Sequence, residues 1–233
     1  MPKSFVAEKI GHVKRIIRRN AHIYPPLEKI NLRERERHHG HRGGVVWLTG
    51  FSAAGKSTIA AALERELFAR GCQTFVLDGD AVRQGLCNDL DFSEKARHEN
   101  IRRVGEVAKL FSQAGFICIA AFISPHRADR AKVRDIMAGG NFIEVFVNAP
   151  LAVCEARDPK GLYARARRDE IKNFTGISAP YDPPLNPEIE LRTDQLTVSD
   201  CVEKILSHLK KISGVDKKTV RRKSASSIRR TKQ

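Results

Sequence analysis

A glycine-rich segment with the pattern G-x-x-x-x-G-K-S occupies residues 50–57. Its glycines allow backbone N–H groups to close around phosphate oxygens, and the N-terminus of a following helix adds the positive end of its dipole. Lys56 is expected to reach the β- and γ-phosphates, and the Ser57 hydroxyl is expected to ligate Mg²⁺. The pattern therefore predicts a nucleoside triphosphate site formed by Gly50, Phe51, Ser52, Ala53, Ala54, Gly55, Lys56, Ser57 and Thr58.

The residues on either side of this segment favour a P-loop over a chance glycine turn. The apolar run 45–49 precedes it and predicts a buried strand. Residues 58–68 follow it and are rich in alanine, leucine and glutamate, which is typical of a helix. A strand, a glycine loop and a helix in this order are the context in which the motif binds phosphate.

Two carboxylates follow the next apolar run, residues 73–78. Asp78 ends this run beside a P-loop, which is the usual place for a carboxylate directed at Mg²⁺. Asp80, two residues further on, is suited to accept a proton from an attacking hydroxyl. Arg83 adds the positive charge that phosphoryl transfer requires around the moving group. An ordinary turn is the alternative interpretation of the two carboxylates.

A further polar cluster lies at residues 91–103. Arg97 and Asn100 are three residues apart, so they share one face of a helix. With Phe92 nearby, a cation, an amide and an aromatic ring suit an anionic nucleotide better than an uncharged acceptor. A solvated helix face is the alternative.

The remaining patterns predict the elements that position these groups. Apolar runs alternate with helical patterns, which implies a mostly parallel sheet with helices on both faces and ligands beyond the carboxyl ends of the strands. The predicted fold class is therefore α/β, a three-layer sandwich of the P-loop NTPase type. Strands are predicted at 45–49, 73–78, 116–122, 142–147 and 189–192, helices at 58–68, 93–114, 127–138, directly after Pro150 and at 199–212, and a polar loop at 158–187.

The formal net charge of +15 is concentrated at the two ends of the chain. Residues 1–42 form a basic N-terminal arm, residues 43–214 hold 23 basic and 22 acidic residues, and residues 215–233 form a basic tail. The near-neutral middle part argues against a nucleic-acid-binding domain. The tail, from Lys217 to Gln233, is predicted to be disordered and is suited to contact a polyanion, although a simply solvated tail is the alternative.

Histidine and cysteine give little sign of metal binding. His38, His39 and His41 form a cluster that is expected to lie in solvent, as adjacent histidines in a charged linker usually do. The five cysteines include no C-x-x-C pair, so they are predicted to be reduced in a cytoplasmic protein. No apolar run approaches the roughly 20 residues of a membrane span.

Five segments stand out together: LDGDAVRQGL at 77–86, DFSEKARHENIRRVGEVAKLF at 91–111, AFISPHR at 121–127, CEARDPKGLYARAR at 154–167 and EIKNFTGISAPY at 170–181. In this order and spacing they resemble the adenylylsulfate kinase family, over residues 22–212. This family transfers the γ-phosphate of ATP to the 3′-hydroxyl of adenosine 5′-phosphosulfate. The resemblance implies the same reaction here, in sulfate assimilation, with Mg²⁺ as cofactor.

The resemblance also implies residue roles. Asp80 would be the base, and the lid would be residues 158–180. Ser124 matches a family serine described as a phosphorylated intermediate, although direct in-line transfer needs no enzyme nucleophile. The candidate catalytic residues are Lys56, Asp80 and Ser124. Phe92 and Phe174 would sandwich the adenine of the acceptor, and the rest of its pocket would be lined by Asp80, Arg83, Arg97, Asn100, Ile123, Ser124 and Lys160.

Four positions depart from the family pattern: Phe51, Ala53, Ala81 and Asp91. They put acceptor affinity in question rather than the reaction. Another P-loop kinase with a different acceptor is the nearest rival. A GTP-dependent switch is a second, since Asp158-Pro159-Lys160-Gly161 fits D-x-x-G, and an ATP-dependent nucleic-acid-binding protein is a third. The sequence leaves open a homodimer and an association with the ATP sulfurylase that would supply the acceptor.

Overall fold

The structure is a computed structural model that describes residues 30–137 and 141–213. Most of the basic arm, and the tail for which the sequence predicts disorder, lie outside these residues. Within the described residues, no helix has both the length and the apolar character needed to cross a membrane.

Five parallel strands form one sheet: β1 (Gly44–Thr49), β2 (Thr74–Asp78), β3 (Ile117–Ala121), β4 (Phe142–Asn148) and β5 (Ile189–Arg192). Their order across the sheet is β2-β3-β1-β4-β5. In the central strand β1, Val46 lies opposite Ile119 of β3 and Ile143 of β4. All five predicted strands are present within two residues of their predicted ends, and the parallel sheet is confirmed.

Eight helices are found in the described part of the chain: α1 (Leu32–His39), α2 (Lys56–Ala69), α3 (Gly79–Gln84), α4 (Glu94–Gln113), α5 (Arg127–Ile136), α6 (Leu151–Arg157), α7 (Leu162–Arg167) and α8 (Val198–Ser213). The long helix α4 begins as predicted, because the Ser93 hydroxyl accepts a hydrogen bond from the backbone N–H of Ala96 at 3.3 Å. It ends just before Gly115, which has a φ of +86°.

Alternate residues of the strands face two separate cores. Val46 and Leu48 face the core that contains Leu63 of α2 and Ile205 of α8. Trp47 of the same strand faces the opposite core, which is built with helices α4 and α5. Helices therefore cover both faces of the sheet, and the predicted three-layer architecture is confirmed.

Three short helices, α1, α3 and α7, were not among the predicted elements. Helix α7 lies inside the predicted polar loop 158–187, where the prediction was wrong. Asp158 explains why a helix begins there. Its carboxylate accepts hydrogen bonds from the backbone N–H groups of Leu162, Tyr163 and Ala164 at 2.8, 2.9 and 3.1 Å. A charged side chain thus stabilises the N-terminus of this short helix.

The expectation that the histidine cluster lies in solvent was wrong for two of its members. His41 is buried, and its Nε2 accepts a hydrogen bond from the backbone N–H of Gln73 at 2.9 Å. The Nδ1 of the half-buried His39 lies 3.1 Å from the carbonyl oxygen of Gly115. These rings join the end of α1 to the sheet domain, and burial lowers the pKa of His41. The positions of His39 and His41 therefore have a structural explanation.

All five cysteines are buried and unpaired, as the sequence predicts. Burial raises the pKa of the Cys118 thiol to about 12, so this side chain acts as a small apolar core residue.

Candidate active site

The glycine-rich segment lies between the carboxyl end of β1 and the start of α2. Its first glycine is required by packing, since a Cβ at Gly50 would lie 2.3 Å from the carbonyl oxygen of Val147. Gly55, at the N-cap of α2, has a left-handed φ of +103° and no side chain to bond the first N–H groups of the helix. The loop therefore exposes backbone donors at a helix N-terminus, which is the geometry of an anion site.

The Lys56 side chain folds back over this loop. Its ammonium donates hydrogen bonds to the carbonyl oxygens of Gly50 at 3.0 Å and Phe51 at 2.6 Å. The side chain is only 8% exposed, and burial lowers its pKa to about 8. A buried cation held only by neutral carbonyls is poised to exchange them for phosphate oxygens, which would compensate its charge.

Ser57 and Asp78 come together from different elements. The Ser57 hydroxyl, in the first turn of α2, donates to Oδ2 of Asp78 at the end of β2 over 2.7 Å. The other oxygen of Asp78 accepts the backbone N–H of Asp80 at 3.0 Å and thereby caps helix α3. The two predicted metal ligands are thus adjacent, and the turn between β2 and α3 sets the position of Asp80.

Lys160 contacts the carboxylate of Asp80 from the lid segment, residues 158–180. The same segment also touches the P-loop, since the Tyr163 hydroxyl donates to the Ser52 carbonyl oxygen at 3.0 Å. The Asp158 carboxylate is used to cap α7. The D-x-x-G pattern is therefore a helix start in this chain, which removes the feature that suggested a GTP switch.

The predicted acceptor residues lie beside β2 and α4. The Arg83 guanidinium stacks over the Phe92 ring, 4.2 Å from its centroid, and donates to the carbonyl oxygens of Leu90 and Asp91. Phe92 remains 59% exposed, so this aromatic surface is accessible to a ligand. The Asp91 carboxylate accepts hydrogen bonds from the backbone N–H and the hydroxyl of Ser93 at 2.9 and 2.6 Å. Asp91, one of the positions that depart from the family pattern, thus stabilises the turn before α4.

Arg97 connects the two segments that carry the predicted aromatic pair. Its guanidinium donates to the carbonyl oxygen of Phe92 at 2.9 Å, to the Thr175 hydroxyl at 2.6 Å and to the carbonyl oxygen of Asn173. Phe174, between the last two, is buried against Tyr163 with ring centroids 5.0 Å apart. Burial, together with the positive charge of Arg83 nearby, lowers the pKa of Arg97. The guanidinium thus fixes the lid segment relative to α4.

Asn100 and Ser124 are both buried polar residues. The Asn100 amide oxygen has no hydrogen-bond partner among the described residues, so it is free to accept from a ligand. The Ser124 hydroxyl accepts the indole N–H of Trp47 at 3.1 Å, and Ser124 has a positive φ of +40°. Ile123, which precedes it, is half-buried and accepts the Thr49 hydroxyl through its carbonyl oxygen at 2.8 Å.

Two residues that the sequence did not single out, one buried and one partly buried, hold these loops together. Arg130, 1% exposed, donates to the carbonyl oxygens of Ser124 and Asp182 and to the carboxylate of Glu144, each at 2.7 Å. Tyr181 packs on Phe51 with ring centroids 5.0 Å apart. Its hydroxyl lies 3.0 Å from the Thr49 hydroxyl. Phe51, which departs from the family pattern, thus packs against Tyr181, directly after the lid segment.

Known proteins resemble this chain over most of its length. The family model for adenylylsulphate kinase matches residues 42–192. An adenylyl-sulfate kinase of Yersinia pestis is 59% identical over 181 residues, which cover 78% of this chain and 84% of the relative. One of Escherichia coli is 56% identical over 181 residues, covering 78% and 90%.

Solved structures give the same result. The APS kinase CysC of Mycobacterium tuberculosis, in complex with AMPPNP and APS, aligns with a TM-score of 0.70 and 44% identity, covering 72% of this chain and 98% of that one. A hexameric APS kinase of Thiobacillus denitrificans aligns with a TM-score of 0.56 and 32% identity, covering 76% of this chain and 30% of that one. The chain belongs to the adenylylsulfate kinase family.

Proposed function

We propose that the residues at the ends of β1, β2 and β3 carry out the reaction of an adenylylsulfate kinase, in which ATP phosphorylates the 3′-hydroxyl of adenosine 5′-phosphosulfate. The chain is an ATP-dependent kinase. The observation that carries the assignment of roles is that Lys56, the Ser57–Asp78 pair and Asp80 come together at the P-loop, and we infer that the space beside them is the catalytic cleft. Each of these groups has a distinct part in moving a phosphoryl group.

The phosphates of ATP bind in the loop from Gly50 to Thr58. The backbone N–H groups at the start of α2 and the Lys56 ammonium neutralise the charge that develops on the β- and γ-phosphates. On binding, Lys56 exchanges the carbonyl oxygens of Gly50 and Phe51 for phosphate oxygens. This exchange provides an electrostatic gain because the lysine is buried.

Mg²⁺ is part of the proposal because the donors fit it. Ser57 and Asp78 offer only oxygen atoms, which are the ligands that Mg²⁺ prefers, and they lie at the mouth of the loop. When bound, the ion supplies positive charge to the phosphate oxygens. The second carboxylate oxygen of Asp78 accepts a hydrogen bond from the backbone N–H of Asp80. This bond connects the proposed metal site to the proposed base on the acceptor side of the cleft.

The acceptor binds on the other side of the cleft, with its adenine between Phe92 and Phe174 and its charged groups near Arg83 and Arg97. The exposed Phe92 ring and the unpaired Asn100 oxygen support this placement. The amino group of adenine can donate the hydrogen bond that the Asn100 oxygen lacks among the described residues. Ile123 and Lys160 complete the pocket.

The chemical step is a single in-line displacement. The 3′-oxygen of the acceptor forms a bond to the γ-phosphorus while the bond from that phosphorus to the β,γ-bridging oxygen breaks, and ADP leaves. The Asp80 carboxylate accepts the hydroxyl proton, for which it must release Lys160. The lid segment, residues 158–180, closes over both nucleotides and limits hydrolysis of ATP by water.

Ser124 contributes by position rather than as a nucleophile. Ser124 is 2% exposed, and its hydroxyl bonds the Trp47 indole N–H and the Phe122 carbonyl oxygen, so no carboxylate or imidazole among the described residues is hydrogen-bonded to it as a base. The bend at Ser124 instead directs the segment after β3 toward the acceptor site.

Association and location complete the proposal. The chain forms a homo-oligomer, which is supported by the relative described as hexameric. An ATP sulfurylase supplies the acceptor, because ATP sulfurylases are the enzymes that form adenosine 5′-phosphosulfate. Five unpaired, buried cysteines support a reducing compartment such as the cytoplasm.

A coupled assay tests the function directly. ADP formation is measured with ATP and Mg²⁺ alone, after addition of adenosine 5′-phosphosulfate, and after addition of gluconate as the acceptor of a different P-loop kinase. We expect rapid ADP formation only with adenosine 5′-phosphosulfate. Turnover with gluconate and none with adenosine 5′-phosphosulfate would assign the chain to another acceptor class.

A further inference from the structure

Three metal-ligating side chains meet at a place that the phosphoryl-transfer reaction does not use. Glu94, His98 and His126 each offer a ligand atom, and these atoms all lie within 4.8 Å of one another. Glu94 and His98 are one turn apart on α4, with Nε2 of His98 3.8 Å from Oε1 of Glu94. His126 directly precedes α5, and its ring centroid lies 4.7 Å from that of His98.

These separations suit a small divalent ion. Bonds of about 2 Å in a tetrahedral site place neighbouring ligand atoms roughly 3.3 Å apart. The pair from His98 and Glu94, at 3.8 Å, is near that spacing, and rotations of the exposed and partly exposed side chains would bring the other atoms, now within 4.8 Å, to it. Two imidazoles and one carboxylate form the set of three protein ligands that leaves a fourth position open on zinc.

Asp129 orients His98 for this role. Its carboxylate is 5% exposed and hydrogen-bonds Nδ1 of His98. A proton held on Nδ1 leaves the lone pair of Nε2 directed toward Glu94. A carboxylate on the far nitrogen of the ring is how proteins usually fix a histidine that binds metal.

The competing explanation is a protonated His98 that bridges Asp129 and Glu94 without any ion. Two observations favour the metal. Lys132 lies 3.7 Å from Asp129 and already supplies it with a positive charge. In addition, a ligand atom of His126 lies within 4.8 Å of those of Glu94 and His98, and a bridge between Asp129 and Glu94 would give His126 no part.

We infer that Glu94, His98 and His126 form a binding site for Zn²⁺ or a similar ion such as Co²⁺. Its nitrogen donors separate it from the Ser57–Asp78 pair, which offers only oxygen and suits Mg²⁺. The ion would join α4 to the segment between β3 and α5. Arg97 neighbours His98 in the sequence, and Ser124 lies two residues before His126, so the ion would fix two walls of the proposed acceptor site.

The test uses the full chain without nucleotide, stripped of metal and titrated with Co²⁺. The probe is the visible absorption that distinguishes four-coordinate Co²⁺ from the six-coordinate ion. We expect one equivalent with four-coordinate absorption, displaced by Zn²⁺. The double variant His98→Asn/His126→Asn should lose this absorption, and His208→Asn, a histidine of α8, should keep it. Asp129→Asn should weaken binding roughly 10–100-fold without changing the spectrum.

Two outcomes would overturn the inference. One is a wild-type chain that shows no four-coordinate absorption and takes up no Zn²⁺. His98 would then only bridge Asp129 and Glu94, without an ion. The other is absorption that survives in the double variant, which would place the ion at other residues. Circular dichroism of each metal-free variant checks folding. Glu94→Gln, at an exposed position, keeps both histidines but removes the carboxylate ligand, so the affinity of the chain for Co²⁺ should fall.

Discussion

Lys160 and Asp80 form an ion pair between residues that lie 80 positions apart in the sequence. Lys160 belongs to the lid segment, whereas Asp80 lies in the first turn of α3. The lysine therefore occupies the carboxylate that is proposed to receive the acceptor's proton. In the proposed mechanism, entry of the acceptor hydroxyl displaces this lysine, which couples the position of the lid segment to the chemical step.

Asp80→Asn is expected to lower the maximal rate more than tenfold while the affinity for ATP changes little. Asparagine keeps the shape of the turn but cannot accept the proton, so the loss should appear in the chemical step. Single-turnover rates and nucleotide binding by calorimetry separate the two effects. Asp89→Asn, another exposed carboxylate, is the matched control. A variant within tenfold of the wild-type rate would indicate that Asp80 only shapes the turn.

Lys56→Ala is expected to lower the rate of transfer roughly 10³-fold or more and to leave the fold intact. The side chain bonds only carbonyl oxygens of its own loop, so its removal breaks no ion pair within the described residues. The measurement is the coupled assay together with thermal unfolding. Lys109→Ala, on the surface of α4, controls for loss of one charge. Wild-type turnover by Lys56→Ala would contradict the P-loop assignment.

Proton uptake on ATP binding is expected above pH 8. Burial lowers the pKa of Lys56 to about 8 in the free protein, and contact with phosphates must raise it again. Below pH 8 the lysine is already protonated, so binding is insensitive to this group. Above pH 8 the Kd for ATP should rise by up to about tenfold per pH unit, because a proton must be taken up.

Calorimetry in buffers of different ionisation enthalpy measures this uptake at pH 9. Lys56→Arg is the control, because a guanidinium remains charged throughout and should abolish the dependence. A wild-type chain that takes up no proton at pH 9 would show that Lys56 is already charged in the free loop.

The positions of the strands and the chemical clusters could be predicted because both follow from local patterns. The apolar runs give the strands, and parallel pairing then brings their carboxyl ends to one edge. The lid was harder to predict. Helix α7 depends on capping by Asp158, and its contact with the P-loop depends on the Tyr163 hydroxyl reaching Ser52. Neither contact has a period or spacing that a sequence pattern could indicate.

Arg130 illustrates the same limit within the site. In the sequence it is one of several arginines near the start of a helix, where a solvated position would be usual. In the structure it is 1% exposed and bonds Glu144 as well as the carbonyl oxygens of Ser124 and Asp182. Its burial depends on three segments that meet only in the folded chain.

Ser124→Ala is expected to retain measurable transfer. The hydroxyl that it removes is hydrogen-bonded to the Trp47 indole and the Phe122 carbonyl oxygen, so its loss should disturb packing more than chemistry. Transfer from ATP with a chiral γ-phosphorus should proceed with inversion of configuration, as a single displacement requires. Retention of configuration in the wild type would indicate two displacements and a phosphorylated enzyme.

Deletion of residues 215–233 is expected to leave the kinase rate nearly unchanged. This tail has few apolar residues, namely Val215, Val220, Ala225 and Ile228, and so it has little to contribute to a packed core. Its 8 basic residues and 1 acidic residue account for a net charge of +7, so the deletion lowers the formal net charge from +15 to +8.

What the deletion should change is attraction to polyanions. The retention of full-length and truncated chains on heparin, at two ionic strengths, measures it alongside the kinase rate. The full-length chain should be retained more strongly, and the difference should shrink as salt rises, because contacts to a polyanion depend on the release of counterions. Equal retention of the two chains, together with a collapsed kinase rate in the truncated one, would contradict this prediction. It would show that the tail contributes to the catalytic domain and that its charges do not bind the polyanion.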